Sequence, residues 1–249
     1  MTKANKAAAG LLGITLAALG IAQAQTATEV VLHNFARKTG WTPGGVIMDS
    51  AGNLYGATAH GIGNRGVIYK LDTAGHYTVL HSFTGNVAGS SPSEPVLDSA
   101  GNVYGTTPGG GTRRLGQVFK LDIAGEFTVL YSFTGGDDGK GLTGLNLDSA
   151  GNLYGATAYG GAGGYGTVYK LDAAGQLTTL YTFTGGADGG TPCSGPTLDS
   201  ASNLYGTATT RCASRTNGGY VCVKVYWFSF DERSTSPNRT LKSFSLSLP

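Results

Sequence analysis

Charge is scarce in this chain: Asp, Glu, Lys and Arg make up 13% of its 249 residues, against roughly 25% in ordinary soluble proteins. The 17 basic and 15 acidic residues nearly balance, so the composition offers no basic surface for phosphate backbones and nucleic acid is not an expected partner. Histidine is missing beyond His81, cysteine is missing before Cys193, and no Cys-x-x-Cys pair occurs. Those gaps argue against a metal centre built from soft ligands. No Gly-x-Ser-x-Gly elbow supports a Ser-His-Asp hydrolase, and no glycine-rich loop runs into Lys-Ser/Thr as a phosphate cradle requires. Past the N-terminus no segment approaches the ~18 consecutive apolar residues of a membrane span.

Residues 1–24 read as a secretory signal: Lys3 and Lys6, an apolar stretch from Ala7 to Ile21, then Ala22-Gln23-Ala24 as a small-x-small cleavage site. The mature chain, 25–249, is therefore expected to be secreted or periplasmic. In that oxidising setting two of Cys193, Cys212 and Cys222 are expected to pair in a disulfide, and the sequence leaves open which two.

Glycine, by contrast, is abundant at 42 residues, and 13 tyrosines and 9 phenylalanines supply aromatic surface for a core. Much of this material repeats. Met48-Asp49-Ser50-Ala51-Gly52-Asn53-Leu54-Tyr55-Gly56 returns at Leu97–Gly105, at Leu147–Gly155 and, with Ser202 in place of glycine, at Leu198–Gly206. The aspartates Asp49, Asp98, Asp148 and Asp199 are thus about 50 residues apart. Ile68–Asp72 returns at Val118–Asp122 and Val168–Asp172; Val79–Gly85 returns at Val129–Gly135 and Thr179–Gly185.

The turn chemistry between these blocks predicts neighbours. Asp-Ser-Ala-Gly-Asn joins short apolar runs as a hairpin, with Asp opening the turn and Gly supplying positive φ. Asp172–Gly175 joins Thr167–Leu171 to Leu177–Phe183, both rich in β-branched and aromatic residues, as a second hairpin. Each unit is then a four-stranded antiparallel meander, a-b-c-d, too small to bury its faces alone, so neighbours must stack. Four strands per ~50 residues predict an all-β, β-propeller-like fold of about four blades. A β-solenoid would need a shorter period and parallel strands.

The units span about 46–83, 95–133, 142–183 and 196–246, the fourth divergent after Gly206. Residues 29–35 repeat strand d without a preceding strand a. They are expected to close a four-bladed ring; the alternative is an open arc, part of a larger ring or of an oligomer.

The combined run Asp-Ser-Ala-Gly-Asn-Leu-Tyr-Gly-Ala-Thr, Gly-Thr-Val-Tyr-Lys-Leu-Asp and Leu-Tyr-Ser-Phe-Thr-Gly-Gly-x-Asp-Gly resembles the GloVer tandem repeat of exported bacterial proteins, and is less closely similar to NHL-type repeats. That resemblance implies export, in some members surface anchoring, and no established catalytic residues.

Candidate site residues follow from what the repeat leaves over. The recurring Asp49 set reads as turn carboxylates bonded to nearby N–H groups; a ring of Ca2+ loops is the weaker reading, since each turn offers one carboxylate where calcium takes six to eight oxygens. Asp138 and Asp188, in glycine-rich inter-blade loops, are candidate ligand contacts. Trp41, Tyr159 and Tyr165 could stack on sugar rings. His33 and His81 occupy the position of Tyr131 and Tyr181 and read as packing variants. The expected function is a non-enzymatic binding or surface module for a glycan or protein ligand. The alternative is an extracellular propeller lyase or glycoside hydrolase, which would need two unrepeated acids ~5–10 Å apart in a pocket.

Overall fold

The structure, a computed structural model, describes residues 30–36, 40–200, 202–209, 223–228 and 241–244. The signal segment, Cys212 and Cys222 lie outside the described residues. The chain forms two units: Met1–Leu32, of which only Val30–Leu32 are described, and His33–Pro249, which holds every strand below.

Four antiparallel sheets make up the second unit. Blade 1 is β1 (Trp41–Met48), β2 (Leu54–His60), β3 (Val67–Leu71) and β4 (Tyr77–Ser82); blade 2 is β5 (Val96–Leu97), β6 (Val103–Thr107), β7 (Gln117–Leu121) and β8 (Phe127–Ser132). Blade 3 is β9 (Lys140–Leu147), β10 (Leu153–Tyr159), β11 (Thr167–Leu171) and β12 (Leu177–Thr182). In blade 4 the first strand is split into β13 (Gly190–Pro192) and β14 (Thr197–Leu198), both paired to β15 (Leu204–Thr209), followed by β16 (Val223–Phe228) and β17 (Leu241–Phe244). Each sheet keeps chain order, the meander expected from the turns, and the four are the blades of a β-propeller. In blade 3 strand a begins ahead of the expected unit start at 142: β9 opens at Lys140, opposite Tyr159. A bulge between Gly155 and Thr157 takes up the mismatch. In blade 2 the prolines Pro92 and Pro95, which have no N–H, leave strand a only two residues long.

The a–b turn is set locally. Asp148 Oδ1 accepts from the N–H groups of Ala150 (2.9 Å) and Asn152 (2.8 Å), while Oδ2 accepts from Asn152 Nδ2 (2.7 Å) and the Tyr154 hydroxyl (3.2 Å). Asp49 and Asp98 repeat all four bonds. The glycine of the turn has φ of +86°, +86° and +84° at Gly52, Gly101 and Gly151; Ser202 takes φ +63° at the same place.

Two features pack the blades. The glycine of Leu-Tyr-Gly on strand b makes room for the aromatic ring of strand c: a Cβ on Gly155 would lie 2.3 Å from the Tyr169 hydroxyl oxygen, and one on Gly105 2.6 Å from Phe119 Cζ. Between blades, the phenylalanine leaving strand d plugs the next sheet. Phe83 meets Phe119 at 5.4 Å and Phe133 meets Tyr169 at 5.0 Å, both rings edge-on, and Phe83, Phe133 and Phe183 are at most 1% exposed. Each is held by its own N–H on the carbonyl of Gly66, Gly116 or Gly166. Truncating one such plug to alanine costs about 3–5 kcal/mol. Val118 and Phe133 of blade 2 thus share a core with Leu142, Leu145, Leu153, Tyr169 and Leu171 of blade 3.

Residues 30–36 carry no strand, so the expected outer strand at 29–35 is not formed as such; β17 holds the outer edge of the fourth sheet.

Candidate binding face

Strand a starts, strand b ends, and the b–c and d–a loops meet at one end of every blade; the aspartate turns occupy the other end. Antiparallel alternation makes this division unavoidable. Trp41 opens β1, Tyr159 closes β10, Tyr165 ends the b–c loop of blade 3, and Asp138 and Asp188 sit in the d–a loops. All five sequence candidates therefore fall on the loop end, on blades 1 and 3 and the connections that leave blades 2 and 3.

The aromatic three are open to solvent, with Trp41 44%, Tyr159 53% and Tyr165 36% exposed. Trp41 stacks one face on His60, its register partner, with centroids 4.5 Å apart. Tyr159 lies over Gly141, where a Cβ would come within 3.1 Å of its ring. Tyr165 covers the d–a turn at Gly185, as Leu115 covers Gly135 and Arg65 covers Gly85. Its position is thus a structural one in the repeat, filled in blade 3 by an aromatic. Among the described residues no ring contact joins these three to one another.

The aspartates behave differently from the aromatics. Asp138 is 8% exposed; its carboxylate accepts from the Thr134 N–H (2.7 Å), the Thr134 hydroxyl (2.8 Å) and the Tyr131 hydroxyl (3.2 Å). Asp188 accepts likewise from the Thr184 N–H (2.8 Å), the Thr184 hydroxyl and the Tyr181 hydroxyl (3.0 Å). Both carboxylates are turned into their own loops and brace strand d. Partial burial pushes the Asp188 pKa up, but the Thr184 and Tyr181 bonds outweigh it and leave it below the usual range. Burial, then the Asp138 charge, raises the Tyr131 phenol.

In blade 1 the pair is replaced by His81 and Ala88. His81 stacks on Phe127 at 4.4 Å and His33 on Tyr77 at 4.1 Å, the packing role expected of both. Burial lowers the His81 pKa, and its Nε2 finds no partner.

At the opposite end sequence reading missed one regularity: Lys70, Lys120 and Lys170 lie 5.3, 5.9 and 5.7 Å from the ring centroids of Tyr55, Tyr104 and Tyr154, whose hydroxyls donate to the turn aspartates. The joint recurrence of Asp, Tyr and Lys was its only signal. Such cation–π contacts are worth about 0.5–1 kcal/mol where exposed. The oxygens of the turn aspartates face their own N–H and O–H donors, and among the described residues no group of three His, Cys, Asp or Glu side chains could hold a metal ion. Cys193 is exposed and forms no disulfide among the described residues; Cys212 and Cys222, the other two candidates for pairing, lie outside them.

Stacked four-stranded meanders with the ligand candidates confined to the loop end define a β-propeller repeat protein. The chain belongs to the Gloeobacter/Verrucomicrobia repeat family, whose sequence pattern matches residues 19–221. No curated protein matches it. Among solved structures it is similar to a putative gluconolactonase, with 18% identity, 82% of this chain and 63% of that one covered, and a TM-score of 0.47. PorZ of Porphyromonas gingivalis, a bacterial surface component of the type-IX secretion system, gives 14% identity over 80% of this chain and 26% of that one, with a TM-score of 0.50. An α-L-arabinofuranosidase from Clostridium thermocellum gives 12% identity over 84% and 74% of the two chains, with a TM-score of 0.42. The chain thus spans less than two thirds of the gluconolactonase. At these identities the likeness is one of fold.

Proposed function

We propose that this protein is an exported, non-enzymatic binding module whose ligand, a glycan, docks on the loop end of the propeller. One observation carries the reading: Trp41, Tyr159 and Tyr165 stand exposed at that end, while the neighbouring Asp138 and Asp188 are engaged by their own threonines and tyrosines. An indole with one face stacked on His60 and the other open is a rigid surface for the apolar face of a sugar ring, and aromatics lose little conformational freedom on binding. Export is supported by the charged, apolar and Ala-Gln-Ala segments of residues 1–24.

A polysaccharide panel read by pull-down and calorimetry, with reducing-end release followed in parallel, tests this. The expected result is binding without turnover, weakened at least ~10-fold by Trp41→Ala at an unchanged melting temperature. Absence of glycan binding, release of sugar ends, or binding indifferent to Trp41→Ala, Tyr159→Ala and Tyr165→Ala together would each overturn it.

A further inference from the structure

The loop end is not charged evenly around the ring. Ala88 stands where the connections leaving blades 2 and 3 hold Asp138 and Asp188, and residues 84–92 carry no charge at all. In the b–c loops the difference runs the other way: blade 1 has Arg65, blade 2 has Arg113 and Arg114, and residues 160–166 of blade 3 have no charge. These three arginines are exposed. Among the described residues the ion pair is His76 with Asp72, at the turn end, and none of these arginines has one. The next acid along the chain, Glu94, lies apart from them: a Cβ on Gly45 would run into its carboxylate, and Gly45 is four residues along β1 from Trp41, roughly 10–13 Å toward the turn end.

The repeat shows that two of these arginines are not required by the fold. Arg65 covers Gly85, a task that Leu115 and Tyr165 perform at their own turns without charge. The residue ahead of each closes one shared turn: the N–H groups of Asn64, Arg114 and Gly164 donate to the carbonyls of Gly61, Gly111 and Gly161 at 2.8, 3.1 and 3.0 Å. All three residues have positive φ, at +61°, +58° and +78°. Glycine and asparagine suit that region, and other side chains strain it. Arg114 is exposed, so packing does not offset the strain, and strain kept at such a position points to function.

Both arginines stand close to Trp41. The Arg65 side chain lies against Gly85, where a Cβ would be 3.1 Å from Nε, and the Arg65 carbonyl accepts from the Ser91 N–H at 2.9 Å. Two residues beyond Gly85, the Val87 carbonyl accepts from the Gly111 N–H at 3.0 Å and so seats the Arg114 turn on the same connection. Gly85 and Val87 are at most about 7 Å apart. Trp41 opens strand a and Arg65 precedes strand c of the same sheet by two residues, which sets them about two strand spacings, or 10 Å, from each other.

We propose that the glycan bound by this face is acidic: Trp41 stacks on a sugar ring while Arg65 and Arg114 take carboxylate or sulfate groups of the same polymer. The inference rests on the glycan reading above and adds the charge of the ligand. A guanidinium fork gains charge-assisted, two-oxygen hydrogen bonds from such a group and far less from a neutral hydroxyl. The 17 basic and 15 acidic residues of the chain nearly cancel, so bulk charge does not draw in a polyanion and a preference for one has to come from this patch.

Two matched pairs of polymers test this on the full chain: polygalacturonate against its methyl ester, and dextran sulfate against dextran, with affinity read by calorimetry at about 0.15 M salt. In at least one pair the charged member is expected to bind at least ~10-fold tighter, and that pair tells carboxylate from sulfate. Arg65→Leu, which copies Leu115, and Arg114→Gly, which copies Gly164, are each expected to weaken that binding about 5-fold or more and to leave the neutral member as it was. Arg114→Gly is expected at the same time to raise the melting temperature by about 2 °C. Lys120→Ala, which removes the same charge from the turn end, is expected to leave affinity unchanged. Equal affinity for both members of each pair overturns the inference and leaves the glycan reading standing. So does a loss from Lys120→Ala as large as that from the arginine variants. Absence of binding to every polymer overturns both. A lower melting temperature for Arg114→Gly would assign that residue to the fold and overturn its part in the site.

Discussion

Replacing Tyr169 by phenylalanine is expected to stabilise the protein. The Tyr169 side chain is 0% exposed, wedged between Gly155 of its own sheet and Phe133 of the preceding blade, and its hydroxyl has no hydrogen-bond partner. Burial pushes the phenol pKa far up, so the group is neutral under all ordinary conditions. A buried polar group without a partner costs about 1–3 kcal/mol relative to its hydrated state in the unfolded chain. Removing only the oxygen keeps the ring and leaves a gap smaller than a methyl group, so the desolvation gain exceeds the packing loss. The repeat contains its own precedent, because Phe119 holds this position in blade 2 with its ring over Gly105. The expected gain is about 1–2 kcal/mol, or roughly 2–8 °C in melting temperature for a domain of this size, read by calorimetry and by urea titration at constant m. Phe119→Tyr should lose a similar amount. A drop in stability for Tyr169→Phe, or a gain for Phe119→Tyr, would refute the reasoning, since it would show that the hydroxyl makes a bond in solution.

Two further outcomes follow from the turns. Ser202 holds φ +63° where its three counterparts are glycine, so Ser202→Gly is expected to add about 0.5–1 kcal/mol, and Gly151→Ser to remove a similar amount in denaturant titrations. Acid should weaken the fold. Asp49 is held low first by the Asn53 side chain and Asp72 by the His76 backbone N–H. In Asp98, Asp148 and Asp188 partial burial raises the pKa, but the hydrogen bonds override it. With folded values below the unfolded ~3.9, this stability is complete well above pH 4 and is lost as pH falls through the folded pKa values; the half-buried His81, whose pKa burial lowers, begins the decline below about pH 6.5. The melting temperature should therefore be flat between about pH 7 and pH 9, drop most steeply under pH 4, and fall again above about pH 10, where the buried tyrosines ionise only in the unfolded chain. A curve level from pH 7 to pH 3 would contradict this.

The sequence by itself determined what lies within one hairpin. Asp148, Gly151 and Asn152 stand within four residues of each other, and their side chains and φ preferences close the same turn wherever they recur. Strand order, blade count and the packing role of His81 were legible for the same reason, since repetition states the unit and the unit must stack. The tertiary structure decided contacts that reach past a single turn, 7 residues for Tyr131 and Asp138, 14 for Gly155 and Tyr169 and 19 for Trp41 and His60. Asp138 looked free in its glycine-rich loop, yet it is claimed by Tyr131 once strand d turns back over it. Gly155 read as a strand glycine, and only the Tyr169 ring above it shows why a side chain is excluded. Trp41, in a loop by its sequence, opens β1 because His60 pairs with it across the sheet. Local turn chemistry is written in adjacent letters, whereas which faces meet is set by ring packing between blades, where shape and burial, not spacing, select the partner.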